Sequence, residues 1–255
     1  MYHNIFDSHA HYDDEQFEYD RNELLVSFKE NGVSGVVCCG VNIETSKFAV
    51  ELSHKYDFVY SAVGFHPLDN DEYKDGDLEK IKELAKDPKC VAIGEIGLDY
   101  HYEKDSRENQ LILLEKQIQL ANELDMPINF HDRESHEDTL NILKKYKPKG
   151  VLHCFSGSVE MAKEIIKLGM YIGLGGAVTF KNAVKPCEVA KFVPEDKLLI
   201  ETDAPYMTPV PFRGKRCDSL HIPYTAEKIA ELRGISAQEV LDLTDRNARN
   251  LFNIK

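Results

Sequence analysis

Short apolar runs alternate with longer amphipathic stretches along the whole chain. The runs fall at Asn4–Phe6, Gly35–Cys39, Phe58–Val63, Val91–Gly94, Pro127–Phe130, Gly150–Leu152, Tyr171–Leu174 and Leu198–Glu201, each of a length that suits a strand. Between them, Arg21–Asn31, Glu44–His54, Leu78–Lys86, Glu108–Leu124, His136–Tyr146 and Val159–Leu168 carry apolar residues at i, i+3 and i+4. The stripe Leu111, Leu114, Ile118 and Ala121 is the clearest helical signal. A seventh helical stretch, Lys181–Phe192, has Pro186 inside its pattern. Strand followed by helix, repeated along the chain, implies a parallel sheet with helices outside. Eight such units in 255 residues predict an α/β fold, a (β/α)8 TIM barrel. No low-complexity linker divides the chain, so residues 1–255 read as a single domain.

Composition narrows the function classes. A formal charge of −13 excludes a broadly basic surface, so a nucleic-acid substrate would be held by a few local cations or metals. Six cysteines stand at 38, 39, 90, 154, 187 and 217 without a CxxC pair, and read as reduced thiols in a reducing compartment. The first residues show no basic segment leading into an apolar stretch, and no run approaches eighteen apolar residues. The expectation is a soluble, cytoplasmic protein with no membrane contact and no obligate protein partner.

The chemistry-bearing residues gather where the runs end, which in such barrels is one mouth. The first run leads into Asp7-Ser8-His9-Ala10-His11, and strand alternation would place Asp7, His9 and His11 on one face. Further runs end at His66, Glu95, His131, His153 and Asp203, so six of eight expected strands finish in an imidazole or a carboxylate. Imidazole and carboxylate donors suit zinc, manganese, nickel or cobalt; a mostly aquated magnesium ion uses fewer protein ligands. Six donors are too many for one tetrahedral ion, and two ions sharing a carboxylate fit them better. Such a pair supports metal-assisted hydrolysis. Nucleophile schemes fit less well: Cys154 would face away from His153 in a strand, and no GxSxG elbow occurs.

An ordered set of motifs then resembles one family. DSHAH at 7–11, VGFHP at 63–67, AIGEIGLDY at 92–100, INFHDRESHEDTL at 128–140, LHCFSG at 152–157, TFKNA at 179–183, ETDAPY at 201–206, FRGKR at 212–216 and NARNLF at 247–252 are similar to the TatD family of metal-dependent deoxyribonucleases, over nearly the whole chain. The resemblance implies a (β/α)8 barrel with a two-metal site that hydrolyses phosphodiesters in DNA, in some members from the 3′ end. It implies that His9 and His11 bind one metal, that Glu95 bridges, and that His131 and His153 bind the other. Asp203 would be a ligand of the first metal that also orients the attacking water, and His66 an active-site residue near the scissile phosphate. The metal identity stays open among zinc, manganese, magnesium, nickel and cobalt. After FRGKR the family continues Asn-Glu-Pro, whereas this chain has Cys217-Asp218-Ser219, a change that bears on substrate shape.

Arg213, Lys215 and Arg216 follow a turn holding Pro205, Pro209 and Pro211, which would set them over the mouth; Arg133 follows His131. Guanidinium groups bind phosphate in bidentate fashion and a lysine supplies a point charge, so these four are the expected substrate-binding cations. Two other classes share the fold. An amidohydrolase-type enzyme acting on a small-molecule C–N or C–O bond would often bridge its metals with a modified lysine where this chain has Glu95. A non-catalytic interaction barrel would have lost a ligand, and none is lost here.

Overall fold

A computed structural model describes residues 2–102 and 106–255. Eight strands form one parallel sheet in the order of the chain. They are β1 (Ile5–Ala10), β2 (Val33–Cys39), β3 (Val59–Val63), β4 (Cys90–Asp99), β5 (Ile128–Arg133), β6 (Gly150–Leu152), β7 (Tyr171–Leu174) and β8 (Leu198–Ile200). The sheet curls into a (β/α)8 barrel. The seam between β8 and β1 is closed by an isolated Ala10–Ala204 bridge and by Ser8 Oγ donating to the Ile200 carbonyl at 3.0 Å.

The helices are α1 (Arg21–Glu30), α2 (Ile43–Lys55), α3 (Asp77–Leu84), α4 (Arg107–Glu123), α5 (His136–Tyr146), α6 (Val159–Lys167), α7 (Val184–Phe192), α8 (Ile222–Arg233) and α9 (Ala237–Phe252). Their starts follow local chemistry. Asn42 and Thr45 form a capping box at α2, Ser236 and Glu239 another at α9, and the Ser158 hydroxyl caps α6. Pro186 does not break α7: it lies in the first turn, where a missing N–H leaves no intrahelical bond unmade.

Alternation along the strands sorts side chains into two layers. Phe6, Val37, Cys39, Ala62, Ala92, Val151 and Leu199 form one buried cluster that fills the barrel, closed below by Phe252 of α9. Ile5, Val36, Cys38, Val63, Ile93 and their neighbours pack against the helices in a larger outer cluster. With the floor plugged, the opposite end, where the strands finish, is left for polar groups. No helix among the described residues is long and apolar enough to cross a membrane.

Candidate metal centre

His9, His11, His66, Glu95, His131, His153 and Asp203 meet at that end of the barrel, all buried except the half-buried His131 and Asp203. Asp7 does not join them, contrary to the simple strand alternation. The β1–β2 register slips between Asp7 and Ala10, and this irregularity parts Asp7 from the two histidines. Its buried carboxylate instead accepts from the Thr202 N–H (3.0 Å), the Thr202 hydroxyl (2.7 Å), the Ser219 hydroxyl (2.7 Å) and the His9 N–H (3.3 Å). Burial pushes Asp7 up to about 7 against these bonds. Asp7 therefore pins the end of β1 to the segment that carries Asp203, whose backbone is left-handed at φ 58° and whose N–H donates to the His9 carbonyl at 3.0 Å.

Glu95 stands at the centre with its two oxygens turned to different partners. Oε2 lies 3.5 Å from His9 Nε2 and 3.2 Å from His11 Nε2; Oε1 lies 2.9 Å from both His131 Nδ1 and His153 Nε2, and 3.5 Å from His66 Nε2. Asp203 Oδ1 completes the first group at 3.7 Å from His9 Nε2 and 3.6 Å from His11 Nε2.

The outward nitrogens fix which ring atoms face inward. His9 Nδ1 meets Asn129 Oδ1 at 3.0 Å, and the Asn129 amide is oriented by Nδ2 donating to the Ser8 carbonyl at 3.1 Å. His11 Nδ1 donates to the Cys39 carbonyl at 3.0 Å, and His131 Nε2 faces Asp99 Oδ2 at 3.2 Å. With those hydrogens placed outside, the neutral rings of His9 and His11 would turn Nε2 lone pairs toward each other across 2.9 Å. His131 Nδ1 and His153 Nε2 are likewise 3.2 Å apart. Such a contact is repulsive unless a cation or proton lies between. Donor separations of 2.9–3.7 Å in the first group bracket the edge of about 3.3 Å that a tetrahedral ion with ligands at about 2.0–2.1 Å requires. The donors fit a divalent metal, and residues of the types that hold one gather in three overlapping groups: His9, Glu95 and His153; His9, His11 and Asp203; His66, Glu95 and His131. In the last group His66 Nδ1 accepts from the Leu68 N–H at 3.1 Å, so a neutral His66 carries its hydrogen on Nε2 and acts inside the site as a donor.

The field of the site is strongly coupled. Burial alone would raise Glu95, yet the surrounding imidazoles of His66, His153 and His9 and the His11 hydrogen bond hold its carboxyl well below the usual range. Burial opposes the charge on His11, but Glu95 and Asp203 raise it to about 9. Burial lowers His66 to about 3, with Glu95 opposing and the other imidazoles reinforcing.

A cleft of about 740 Å³ opens above these groups. Asp13, Asp14, Asp69, Tyr102 and Tyr206 stand on its walls, and Arg133 is the one arginine or lysine lining it among the described residues. The Arg133 guanidinium lies 4.7 Å from the Tyr102 ring centre. The other expected cations are elsewhere. Arg213 and Lys215 are exposed on the loop after β8, Arg213 stacked 3.8 Å over Phe180. Arg216 is committed to Asp20 through two bonds of 2.6 Å and to the Gln16 carbonyl at 2.7 Å. The Cys217-Asp218-Ser219 change proves largely internal: Cys217 and Ser219 are buried, and Asp218 caps the turn before α8.

Sequence reasoning did not single out Asn129, Asp99 or Glu201. Asn129 and Glu201 lie in runs marked as strands, each two residues from a site residue, His131 and Asp203; Asp99 lies in the AIGEIGLDY motif, beyond the marked run Val91–Gly94. A polar residue inside an otherwise apolar strand was the available signal for Asn129 and Glu201.

The family model described as TatD related DNase matches residues 6–253. The chain is 45% identical over 253 residues, 98% of this chain and 99% of the relative, to the uncharacterized metal-dependent hydrolase YabD of Bacillus subtilis. It is 35% identical over 259 residues, 98% of this chain and 99% of the relative, to the 3'-5' ssDNA/RNA exonuclease TatD of Salmonella typhimurium. The crystal structure of YJJV, a TatD homolog from Escherichia coli K12, superposes with a TM-score of 0.93 at 31% identity, covering 100% of both chains.

Proposed function

Because this chain belongs to the TatD related DNase family and is a metal-dependent hydrolase, we propose that it cleaves phosphodiester bonds in DNA as an exonuclease, using two divalent ions at the mouth of the barrel. The observation that carries the reading is the division of Glu95: one oxygen faces Nε2 of His9 and of His11, the other Nδ1 of His131 and Nε2 of His153. His9, His11 and Asp203 would hold the first ion, His131 and His153 the second, with Glu95 between. When bound, such a pair polarises a phosphoryl oxygen and makes water acidic enough to attack near neutral pH.

The remaining roles fall to side chains. Asp203, partly open to the cleft, orients the attacking water and accepts its proton. His66 presents its Nε2 hydrogen to a non-bridging phosphate oxygen, since Leu68 occupies Nδ1. Arg133 takes a neighbouring phosphate from the wall of the cleft, with Arg213 and Lys215 on the loop after β8 as weaker outlying contacts. Arg216 serves by anchoring that loop through Asp20. One cation set among Asp13, Asp14 and Asp69 suits a short length of strand, which favours removal of terminal nucleotides over a grip on long DNA. The name of the Salmonella relative supports the same polarity and a single-stranded substrate.

The test is product analysis with defined single-stranded, duplex and abasic DNA, single-stranded RNA and small phosphoesters, each with Mg2+, Mn2+ and Zn2+. Stepwise loss of nucleotides from the 3′ end of DNA is expected. Hydrolysis of small esters with every polynucleotide left intact overturns the substrate. Metal analysis checks the site: Glu95→Ala should lose both ions and His153→Ala mainly one, and an unchanged metal content in Glu95→Ala removes the bridge.

A further inference from the structure

His9, His11, His131 and His153 are each backed by an acceptor, and the acceptors differ. His9 and His11 lean on neutral groups, the Asn129 amide and the Cys39 carbonyl, whereas His131 leans on the Asp99 carboxylate. Behind His153 stands Glu201, which is fully buried, with Oε1 3.6 Å from His153 Nδ1. Among the described residues, its one hydrogen-bond donor is the Cys154 N–H on Oε1. Oε2 has no hydrogen-bond partner among the described residues, and neither has His153 Nδ1, both being sealed from solvent.

A buried carboxylate with so little compensation costs stability unless it faces positive charge. The barrel nevertheless makes room for it. At Gly173 in β7 a Cβ would lie 2.6 Å from Glu201 Oε2 and 3.2 Å from the His153 Cα, so any side chain there would drive the carboxylate from its place. At Gly175 a Cβ would sit 3.6 Å from Glu201 Cγ. Strand β7 thus leaves room at Gly173 for this carboxylate, which no role described above employs.

We propose that Glu201 is a positioning residue: it holds the Nδ1 hydrogen of His153 in place, keeps Nε2 free for metal, and strengthens metal binding at the Glu95–His131–His153 position. The inference rests on the two-ion reading above. A carboxylate behind an imidazole fixes its tautomer and raises its basicity, and removing such a partner weakens metal binding by about 10–100-fold. Glu201 supplies the charge for His153 that Asp99 supplies for His131.

The experiment is equilibrium dialysis of the full-length protein against buffered Zn2+, read by metal analysis, with thermal unfolding of the metal-free protein alongside. Wild type should take up Zn2+ in two steps, and His153→Ala identifies the step that belongs to the second position. Glu201→Gln should raise the Kd of that step by about 10–100-fold and leave the other within about threefold. The Tm of metal-free Glu201→Gln should hold or rise, because an uncompensated buried charge has gone. Gly173→Ala, which displaces the carboxylate without neutralising it, should weaken the same step and supplies the test should Glu201→Gln fold poorly. Two unmoved steps in both variants overturn the role of Glu201 and leave the two-ion reading standing. A single step of one ion per chain in wild type overturns the two-ion reading; its weakening in Glu201→Gln still upholds Glu201. A lowered metal-free Tm with unmoved Zn2+ binding makes Glu201 structural only and overturns the proposal.

Discussion

Replacing Ser219 by alanine breaks a buried hydrogen-bond chain that ties the end of β1, which carries His9 and His11, to the segment after β8, which carries Asp203. The Ser219 hydroxyl donates to Asp7 Oδ2 at 2.7 Å, so its oxygen receives the Tyr12 hydroxyl hydrogen at 2.8 Å, while the Ser219 N–H donates to Tyr12 Oη at 2.9 Å. Tyr12, Asp7 and Ser219 are all fully buried, so no water replaces the lost hydroxyl. The substitution removes one hydrogen bond to a carboxylate and leaves the Tyr12 hydroxyl without its acceptor. Losing a bond to a charged group costs about 1.5–3 kcal/mol and orphaning a buried polar group about 1–3 kcal/mol, so a destabilisation on the order of 3 kcal/mol follows. At about 2–4 °C per kcal/mol for a chain of this size, the Tm should fall by roughly 6–12 °C. Thermal unfolding followed by circular dichroism, with metal held constant because ligand binding itself shifts Tm, measures this directly. Tyr12→Phe and the double variant complete a cycle whose coupling should be about 0.5–3 kcal/mol. A Tm drop below about 2 °C, or strict additivity in the cycle, refutes the chain.

Asp203→Asn keeps the shape of the side chain and removes its charge, so kcat should fall by at least ~100-fold with the circular dichroism spectrum unchanged; near-normal turnover by folded protein would remove Asp203 from the chemistry. Arg133→Ala should raise the KM for single-stranded DNA and flatten its shallow salt dependence without altering metal content, as determined from initial rates at several salt concentrations. Arg216→Ala should instead act through loop stability, lowering Tm more than it changes the salt slope, and the reverse pattern would return Arg216 to the phosphate contacts. The Arg107 hydrogen bond, with help from Tyr100, holds the Asp138 carboxyl below its usual range. A depressed carboxylate stabilises the fold above its unfolded pKa of about 4 and loses that contribution as pH falls through the folded value. The Tm gap between wild type and Asp138→Asn should therefore be constant from pH 5 to 8 and shrink below about pH 4; a gap that widens on acidification contradicts the sign.

Local rules account for what could be read directly from the residues. Helical and strand periodicities involve neighbours within a few positions, so eight β/α units, and with them the barrel, were legible before any contact was known. The same holds for His9, His11, His66, Glu95, His131, His153 and Asp203, because a barrel gathers its strand ends at one mouth whatever the side chains between them. Motif order then pointed to the family that the match over residues 6–253 established. Proline in α7 was also a local matter, decided by its place in the first turn.

Other properties depended on partners far apart in the chain. Asp7 left the histidine face because β1 slips its register against β2, and its ligands Thr202 and Ser219 lie 195 and 212 residues away. Arg216 looked like a phosphate-binding cation among its neighbours, yet Asp20, 196 residues distant, holds it. Asn129, Asp99 and Glu201 select the tautomers of His9, His131 and His153 from other parts of the barrel, over 120, 32 and 48 residues of chain. Sequence reveals which groups can bind a metal, since that depends on residue type and element ends. Tertiary structure decides where each ring puts its hydrogen and which charges are already neutralised, since both follow from distances that only the folded chain defines.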